Sequence, residues 1–361
     1  MTRPWTLRVV AACLACWHVT PAASIQLMAS RPPALAASTF AKRRGTSVRA
    51  AVDADAALSA VVGGGSDDLE RLEIRGDAAG AEAVSFDTLG ITVAGVSANL
   101  AAANITAPNA LQRSAFGPIS SGRDAIIHAW TGSGKTLAFL LPLFELLDAS
   151  SREPQALVLC QSRELAFQIG RVAEAALAGT GLGAACVVGG ANPNRQLEKI
   201  KKERPQLIVG TPGRVGELAF EWKKLKLQRV RHVVIDEVDD ALRPPHLEHT
   251  LRLIESAQDG RPLQLIFASA TADTAPVRRA ASQLLTNRPL LLHLLPPEGV
   301  RGGVAAAQLP SSISHGVCTV SPQKSLETMH ALYHSTPAPK CLVFVNSPHR
   351  AKIVCEKLKD S

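Results

Sequence analysis

The chain has 361 residues, of which 46% are hydrophobic and 19% charged, a composition typical of a soluble, globular protein with room for one complete α/β domain and part of a second. Its formal net charge of +8 is typical of proteins that bind nucleic acids. However, residues 1–52 contain seven Lys or Arg and no Asp or Glu, which leaves 32 basic against 31 acidic side chains in the rest. Because residues 53–361 are nearly neutral, their net charge does not indicate a nucleic-acid partner. The partners must be inferred from motifs.

Residues 1–52 have the composition of a targeting leader. An apolar run, Val9–Val19, follows two arginines and precedes small residues that suit a signal peptidase. It is too short to span a bilayer, and the acid-free tract at 24–52, rich in Ala, Ser and Arg, is typical of a transit peptide. This order resembles the bipartite leaders of plastids acquired by secondary endosymbiosis, so we predict a plastid (chloroplast) protein with no membrane partner in its mature form. Secretion, mitochondrial import and a mispredicted N-terminus remain alternatives.

The body of the chain alternates apolar runs of strand length with helical patterns. Residues 53–83, with three consecutive glycines, predict a linker or disordered extension. Beyond them, strands alternating with helices predict βαβ units and a parallel sheet, whose ligands bind beyond the carboxyl ends of the strands. The predicted strands are Ala125–Ile127, Ala156–Cys160, Ala185–Val188, Gln206–Val209, His232–Ile235 and Leu263–Phe267.

The stretch Asp124–Thr136 reads D-A-I-I-H-A-W-T-G-S-G-K-T and predicts a strand, a glycine loop and the start of a helix over Thr136–Leu147. A phosphate needs converging N–H donors, a helix N-terminus and a cation, and glycines allow the close approach. The spacing fits G-x-x-x-x-G-K-[S/T] with Ala129 for the first glycine, so Lys135 would reach the β- and γ-phosphates and Thr136 would hold Mg²⁺. The alternative is a surface loop with an exposed lysine. The predicted nucleotide-binding loop comprises Thr131, Gly132, Ser133, Gly134, Lys135 and Thr136.

A second stretch, Val233–Asp239, is a hydrophobic strand that ends in carboxylates. At the top edge of the sheet, Asp236 would hold Mg²⁺ through water and Glu237 would orient the attacking water, because phosphoryl transfer depends on positioning and on neutralising developing charge. The alternative is an acidic first turn of a helix.

These motifs resemble those of DEAD-box RNA helicases from about Phe86 to the end of the chain, with Asp236-Glu237-Val238-Asp239 where the family has D-E-A-D. The resemblance implies an α/β fold: a RecA-like parallel sheet with helices on both faces, of the P-loop NTPase class, followed by a partial second RecA-like domain. It also implies an ATP-dependent RNA helicase that hydrolyses ATP with Mg²⁺. The implied catalytic residues are Lys135, Asp236 and Glu237.

Other family motifs follow in order. Asn104–Gln112 resembles the Q motif, in which Gln112 would contact the adenine edge, and Phe86 lies near the place of the family's adenine-stacking aromatic. Ser269-Ala270-Thr271 matches S-A-T, which couples hydrolysis to strand separation in the family. Hydroxyls at Ser269 and Thr271 would bond the carboxylates of Asp236 and Asp239.

Three loops resemble the family's grip on a single RNA strand. Gln161–Ala166 is similar to P-T-R-E-L-A, Gly189-Gly190 to G-G and Thr211–Arg214 to T-P-G-R, although T-P-G-R read alone is a turn. Hydroxyls, glycine N–H groups and arginines suit phosphate contacts that carry no sequence code. The implied RNA-binding residues are Arg163, Gly190, Thr211, Pro212, Gly213 and Arg214.

The domain plan follows from these motifs. We predict a Q-motif region at 84–112, a first RecA-like domain at 113–290, a linker rich in Pro and Gly at 291–312, and the start of a second domain at 313–361 with strands at Ser314–Val320 and Lys340–Asn346. The family's later H-R-x-G-R-x-x-R motif has no counterpart in the sequence. The alternatives are therefore an RNA helicase seen as a fragment, a nucleotide-dependent RNA-binding protein without unwinding activity, and a DNA helicase of the same superfamily.

Overall fold

The computed structural model describes residues 69–76, 84–244, 246–295, 318–335 and 341–359. They fall into two units, 69–295 and 318–359. The leader at 1–52, most of the extension at 53–83 and most of the linker at 291–312 lie outside the described residues. Within the described ranges, no helix has the length and apolar character needed to cross a membrane.

The first unit is built on a parallel sheet of eight described strands in the order β1-β8-β2-β7-β6-β3-β5-β4. Every neighbouring pair is parallel, which confirms the predicted fold class. The strands are β1 (Glu70–Ile74), β2 (Ala125–His128), β3 (Ala156–Leu159), β4 (Ala184–Val187), β5 (Leu207–Gly210), β6 (His232–Asp236), β7 (Gln264–Ser269) and β8 (Leu290–Leu294).

Helices cover both faces of this sheet. Successive strand residues enter opposite hydrophobic clusters, as Ile127 and Ile126 do, because side chains alternate across a strand and the sheet is buried on both sides. The helices are α1 (Val96–Ala102), α2 (Ala110–Ser120), α3 (Lys135–Glu145), α4 (Arg163–Ala176), α5 (Pro193–Glu203), α6 (Pro212–Gly216), α7 (Val238–Ala241), α8 (His246–Gln258) and α9 (Ala275–Leu284). A 3₁₀ turn (Phe86–Leu89) and a π-helix (Glu217–Glu221) complete the unit.

One buried carboxylate ties the sheet together at the amino ends of its strands. Asp124 Oδ1 accepts a hydrogen bond from the backbone N–H of Leu265 at 2.8 Å. Its Oδ2 accepts two more, from the N–H groups of Thr286 and Asn287, each at 2.8 Å. Burial raises the pKa of Asp124, and these three donors oppose the rise. The side chain therefore links β2 to β7 and to the loop before β8.

The six strands predicted in this unit are confirmed with small shifts of their ends, but both boundaries of the domain need correction. Glu70–Ile74, assigned to the extension, forms β1, and residues 291–294, assigned to the linker, complete β8. β1 lies at the sheet edge, pairs with β8 and buries only Ile74. An edge strand needs no continuous apolar run, so its sequence carries little strand signal.

The second unit contains a 3₁₀ turn (Pro322–Lys324), α10 (Ser325–Ser335) and α11 (Pro348–Lys359). The strands predicted at Ser314–Val320 and Lys340–Asn346 are wrong in the part that the structure describes: Cys318–Val320 and Cys341–Asn346 are not strands. A strand exists only when a neighbour pairs with it, and apolar patterning alone does not supply one.

Candidate functional site

A glycine loop connects β2 to α3 at the carboxyl edge of the sheet. Gly132 and Gly134 have φ of +84° and +85°, a backbone conformation that is costly for residues with a Cβ atom. A Cβ atom on Gly134 would also lie 2.6 Å from both Asn109 Nδ2 and Gln112 Nε2. The loop conformation predicted from the sequence is therefore one that only glycine fits at position 134.

The predicted Q-motif region packs directly on this loop. Asn109 and Gln112 form a capping box at the start of α2: Asn109 Oδ1 accepts from the Gln112 N–H, and Gln112 Oε1 accepts from the Asn109 N–H, both at 3.0 Å. Asn109 Nδ2 then donates to the Ser133 carbonyl oxygen at 2.8 Å, and Gln112 Nε2 donates to the Gly134 carbonyl oxygen at 3.3 Å. The amide of Gln112 thus supports the phosphate loop, and its contact with adenine stays a prediction. The role of Asn109 was missed, although the spacing Asn-x-x-Gln signals a cap.

The loop fits a polyphosphate ligand. Lys135 is buried, and its Nζ donates to the carbonyl oxygens of Ala129 at 2.8 Å and Trp130 at 3.4 Å. Ser133 Oγ is buried and has no hydrogen-bond partner within the described residues. A cation, an unsatisfied hydroxyl and a helix N-terminus are the groups that bind phosphate oxygens. The hydroxyl of Thr136, next to Lys135 in the chain, and the carboxylate of Asp236 are oxygen ligands of the kind that Mg²⁺ prefers.

Asp236 and Glu237 stand at the carboxyl end of β6. Asp236 is 4% exposed, and burial, followed by the charge of Glu237, raises its pKa to about 7, while the charge of Lys135 opposes the rise. Burial also raises the pKa of Glu237, against the charge of Lys135. Glu237 has φ of +50° and donates its N–H to Asp236 Oδ1 at 3.1 Å; this left-handed conformation is uncommon for residues other than glycine. Both carboxylates therefore share one electrostatic environment with Lys135.

Ser269 joins the carboxylate motif to the next strand. Its Oγ lies 2.5 Å from Asp239 Oδ1 and 3.3 Å from Glu237 Oε2. The Thr271 N–H donates to Ser269 Oγ at 3.0 Å, and the two hydroxyls are 3.3 Å apart. The predicted contact between S-A-T and the carboxylates is therefore present at Asp239. For the second carboxylate the prediction was wrong: Ser269 Oγ lies near Glu237 Oε2 rather than near the carboxylate of Asp236. The Asp236 carboxylate instead accepts from the N–H of Glu237.

The three loops predicted to grip RNA meet at the same edge. The Arg163 guanidinium lies against Gly189 and Gly190, so closely that a Cβ atom on Gly190 would clash with it. Arg214 Nη1 donates to the Ala191 carbonyl oxygen at 2.9 Å, and its Nε lies 2.7 Å from Glu217 Oε2. Arg214 thus supports the loops. Thr211 and Gly213 remain accessible, whereas Pro212 is buried and begins α6, so its predicted RNA contact is not supported.

Phe86 does not present an aromatic face in this structure. Its ring is 3% exposed and belongs to the hydrophobic core, because the 3₁₀ turn that begins at Phe86 points this residue inward. The predicted adenine-stacking role of Phe86 is therefore not supported by its position.

Comparisons with known proteins agree with this geometry. A family model described as DEAD/DEAH box helicase matches residues 109–280. The probable ATP-dependent RNA helicase YfmL of Bacillus subtilis (strain 168) is 35% identical over 260 residues, which cover 72% of this chain and 65% of that protein. DEAD-box ATP-dependent RNA helicase 47, mitochondrial, of Arabidopsis thaliana is 30% identical over 324 residues, covering 77% of this chain and 58% of that protein. The chain thus spans less than two thirds of the length of these relatives.

A solved structure shares the fold. Mss116p bound to ssRNA and AMP-PNP has a TM-score of 0.55 at 22% identity, over 63% of this chain and 48% of that one. At this identity the likeness concerns the architecture alone, which agrees with the parallel sheet and the flanking helices described above.

Proposed function

Since this chain belongs to the DEAD-box family of RNA helicases, we propose that it binds ATP at the loop between β2 and α3 and hydrolyses it to remodel or unwind RNA. The observation that carries the proposal is a glycine loop at the carboxyl edge of the sheet that holds a buried lysine, Lys135, and an unsatisfied buried hydroxyl, Ser133. The carboxylates of Asp236 and Glu237 stand at the same edge of the sheet, after β6. Phosphoryl transfer requires that combination of cation, carboxylates and backbone donors.

In the proposed reaction Lys135 exchanges its bonds to the Ala129 and Trp130 carbonyl oxygens for the β- and γ-phosphates. Glu237 accepts a hydrogen bond from the attacking water and orients it toward the γ-phosphate. Thr136 and Asp236 would hold Mg²⁺, which supplies charge neutralisation on the phosphates. The Ser269 hydroxyl contacts the carboxylates of Asp239 and Glu237, so a movement of either carboxylate during hydrolysis would move the segment after β7.

The proposed RNA contacts are sequence-independent and involve a single strand. Arg163, Gly190 and the exposed parts of the Thr211–Arg214 loop offer guanidinium, N–H and hydroxyl donors at one edge of the sheet. Such donors recognise phosphate and sugar rather than bases. The Bacillus subtilis relative, which is named a probable ATP-dependent RNA helicase, supports this assignment.

Hydrolysis of ATP with and without added single-stranded RNA tests the proposal. Glu237→Gln should keep its affinity for Mg²⁺-ADP within about twofold and lose hydrolysis by at least about a hundredfold, because it retains hydrogen bonding but loses the charge that orients water. Asp240→Asn, on the same short helix, is the matched control and should hydrolyse ATP normally. Equal turnover in Glu237→Gln and Asp240→Asn would reject the site.

The same assay separates the second candidate function. The second candidate is a nucleotide-dependent RNA-binding protein without unwinding activity, because the phosphate loop and the three loops predicted to contact RNA lie in one unit. It is favoured if the wild-type chain binds both ligands but neither hydrolyses ATP in response to RNA nor separates a short duplex.

We also propose import into an organelle, with the plastid as the destination. The apolar segment and the acid-free tract at 1–52 support it; the Arabidopsis relative whose name includes "mitochondrial" is the basis of the alternative. Residues 1–60 fused to a fluorescent protein should reach the plastid of an alga with secondary plastids. Fluorescence in mitochondria or in the medium would contradict plastid import.

A further inference from the structure

A basic surface occupies the end of the sheet opposite to the ATP and RNA motifs. The run from Trp222 to Arg231 reads W-K-K-L-K-L-Q-R-V-R and contains no Asp or Glu. It follows the π-helix and leads directly into β6. We call the exposed part of this run, together with Arg261, the basal basic surface.

Two leucines and a valine of this run pack in the hydrophobic core. Leu225, Leu227 and Val230 are buried in the cluster on one face of the sheet, while the residues between them are exposed. A tight turn fixes the start of the run, since the N–H groups of Lys224 and Leu225 both donate to the Leu218 carbonyl oxygen. The positive charges are therefore held on one side of a fixed backbone.

The end of the run is anchored at the amino edge of the sheet. The Arg231 N–H donates to the Gln155 carbonyl oxygen before β3, and the Gln264 N–H donates to the Arg231 carbonyl oxygen. Arg261 Nη1 donates to the Gln228 carbonyl oxygen at 3.1 Å. These contacts bring Arg261, from the loop before β7, beside the run.

Positive charge is in excess on this surface. Glu153 pairs with both Lys226 at 3.2 Å and Arg229 at 3.4 Å, and Asp259 lies 3.8 Å from Arg261. Burial, followed by the charges of Arg261 and Arg229, lowers the pKa of Arg231. Five exposed basic side chains form this surface, with the half-buried Arg231 beside them, and three acidic side chains accompany them: Glu153, Asp259 and Glu221. The five are Lys223, Lys224, Lys226, Arg229 and Arg261.

An exposed indole stands at the start of this run. Trp222 is 37% exposed at the end of the π-helix and is followed immediately by two lysines. Aromatic rings that alternate with cations bind single-stranded nucleic acids, because bases stack on the ring while phosphates pair with the charges. An acidic protein would use the charges but has no bases to stack on the indole.

We propose that the basal basic surface is a second RNA-binding surface, separate from the loops at the carboxyl edge of the sheet. It would hold a further stretch of the RNA on which the chain acts, with Trp222 stacking on a base and Lys223 and Lys224 contacting phosphates. The surface is independent of the ATP site, and its contacts carry no sequence code.

Fluorescence anisotropy of a labelled single-stranded RNA of about 30 nucleotides, titrated with the 361-residue chain, tests this proposal. Trp222→Ala should weaken binding about tenfold, in line with the stacking of one base. The double variant Lys223→Gln and Lys224→Gln should reduce the slope of log affinity against log salt by about 1.4, as expected for two lost phosphate contacts on a single strand. The matched control, Lys201→Gln with Lys202→Gln on α5, loses the same charge and should bind as the wild type does. Hydrolysis of ATP without RNA should be unchanged in all of them.

Several results would overturn the proposal. Wild-type affinity in both Trp222→Ala and the Lys223 and Lys224 variant would do so. Displacement of the RNA by polyglutamate, combined with no effect of Trp222→Ala, would identify the surface as a site for acidic proteins instead. Arg163→Gln distinguishes this proposal from the proposed function: if the carboxyl-edge loops do not bind RNA, Arg163→Gln has no effect, while the basal variants still weaken binding.

Discussion

The hydroxyl of Ser269 at the end of β7 lies 2.5 Å from Asp239 Oδ1 on α7. This contact joins the strand that carries S-A-T to the helix that carries the last carboxylate of the D-E-V-D motif. Since the same oxygen lies 3.3 Å from Glu237 Oε2 and accepts from the Thr271 N–H, one side chain connects Glu237 to the segment that follows β7.

Removal of this hydroxyl should uncouple hydrolysis from RNA. In Ser269→Ala the Asp239 carboxylate loses a charge-assisted hydrogen bond, which contributes about 1.5–3 kcal/mol. We expect the RNA stimulation of ATP hydrolysis to fall about tenfold or more, with affinity for Mg²⁺-ADP unchanged. Ser282→Ala removes a hydroxyl that bonds only within α9 and serves as the control. Full RNA stimulation in Ser269→Ala would show that Ser269 has no coupling role.

A methyl group at position 134 should distort the phosphate loop and weaken nucleotide binding. In Gly134→Ala the new Cβ atom meets the amides of Asn109 and Gln112, and the positive φ adds strain of about 1–2 kcal/mol. We expect nucleotide affinity, measured by calorimetry, to drop more than about tenfold and the melting temperature to fall. Gly76→Ala, with open space around the glycine and no positive φ, should change neither quantity. Wild-type affinity in Gly134→Ala would mean that the nucleotide does not contact this loop.

The free energy of unfolding should depend strongly on Asp124. Asp124→Ala removes the acceptor of three backbone N–H groups. The Leu265 N–H is then left buried without a partner, which costs about 1–3 kcal/mol, and the N–H groups of the exposed Thr286 and Asn287 each lose a hydrogen bond that contributes about 0.5–1.5 kcal/mol. We expect a loss of about 3 kcal/mol or more in urea unfolding. Asp124→Asn should recover only part of it, because an amide has one acceptor oxygen. Asp87→Ala is the control at an exposed carboxylate, and a loss no larger than that of the control would contradict the role of Asp124.

Two stacked imidazoles should make stability depend on pH. His128 and His293 stack with ring centroids 4.5 Å apart, and His128 Nε2 lies 3.0 Å from the Ala270 carbonyl oxygen. Burial and then the neighbouring His293 lower the pKa of His128. Burial, followed by the charge of Arg71, lowers that of His293, while Asp273 opposes both shifts and Glu73 opposes that of His293.

The sign follows from these lowered pKa values. Above the ordinary histidine pKa of about 6.5, His128 and His293 are neutral in the folded and in the unfolded chain. Below it the unfolded chain binds protons before the folded one does, so the free energy of unfolding decreases as the pH falls. The loss is at most about 1.4 kcal/mol per pH unit for each proton. In urea unfolding between pH 7.5 and 5.5, His128→Gln should lose less stability than the wild type, and equal slopes would exclude His128 as the cause.

Much of this protein followed from local sequence alone. Apolar runs such as Val233–Ile235 predict buried parallel strands because both faces of such strands are covered. The glycines before Lys135 predict a phosphate loop because few other residues adopt its backbone conformation. Such signals depend on neighbours within about ten residues, so the fold class, the glycine loop and the carboxylates after β6 could be predicted without coordinates, whereas the other candidate site residues rest on the family resemblance.

Tertiary structure decided the contacts between segments distant in sequence. Whether Phe86 stacks or is buried, whether Ser269 meets Asp236 or Glu237, and whether Gln112 bonds the loop all depend on how separate elements pack. The edge strand β1 exists only because β8 supplies its hydrogen bonds, and Arg261 joins the run from Trp222 only because β6 and β7 are neighbours. Sheet order is set by the packing of all the strands together, so no local pattern contains it.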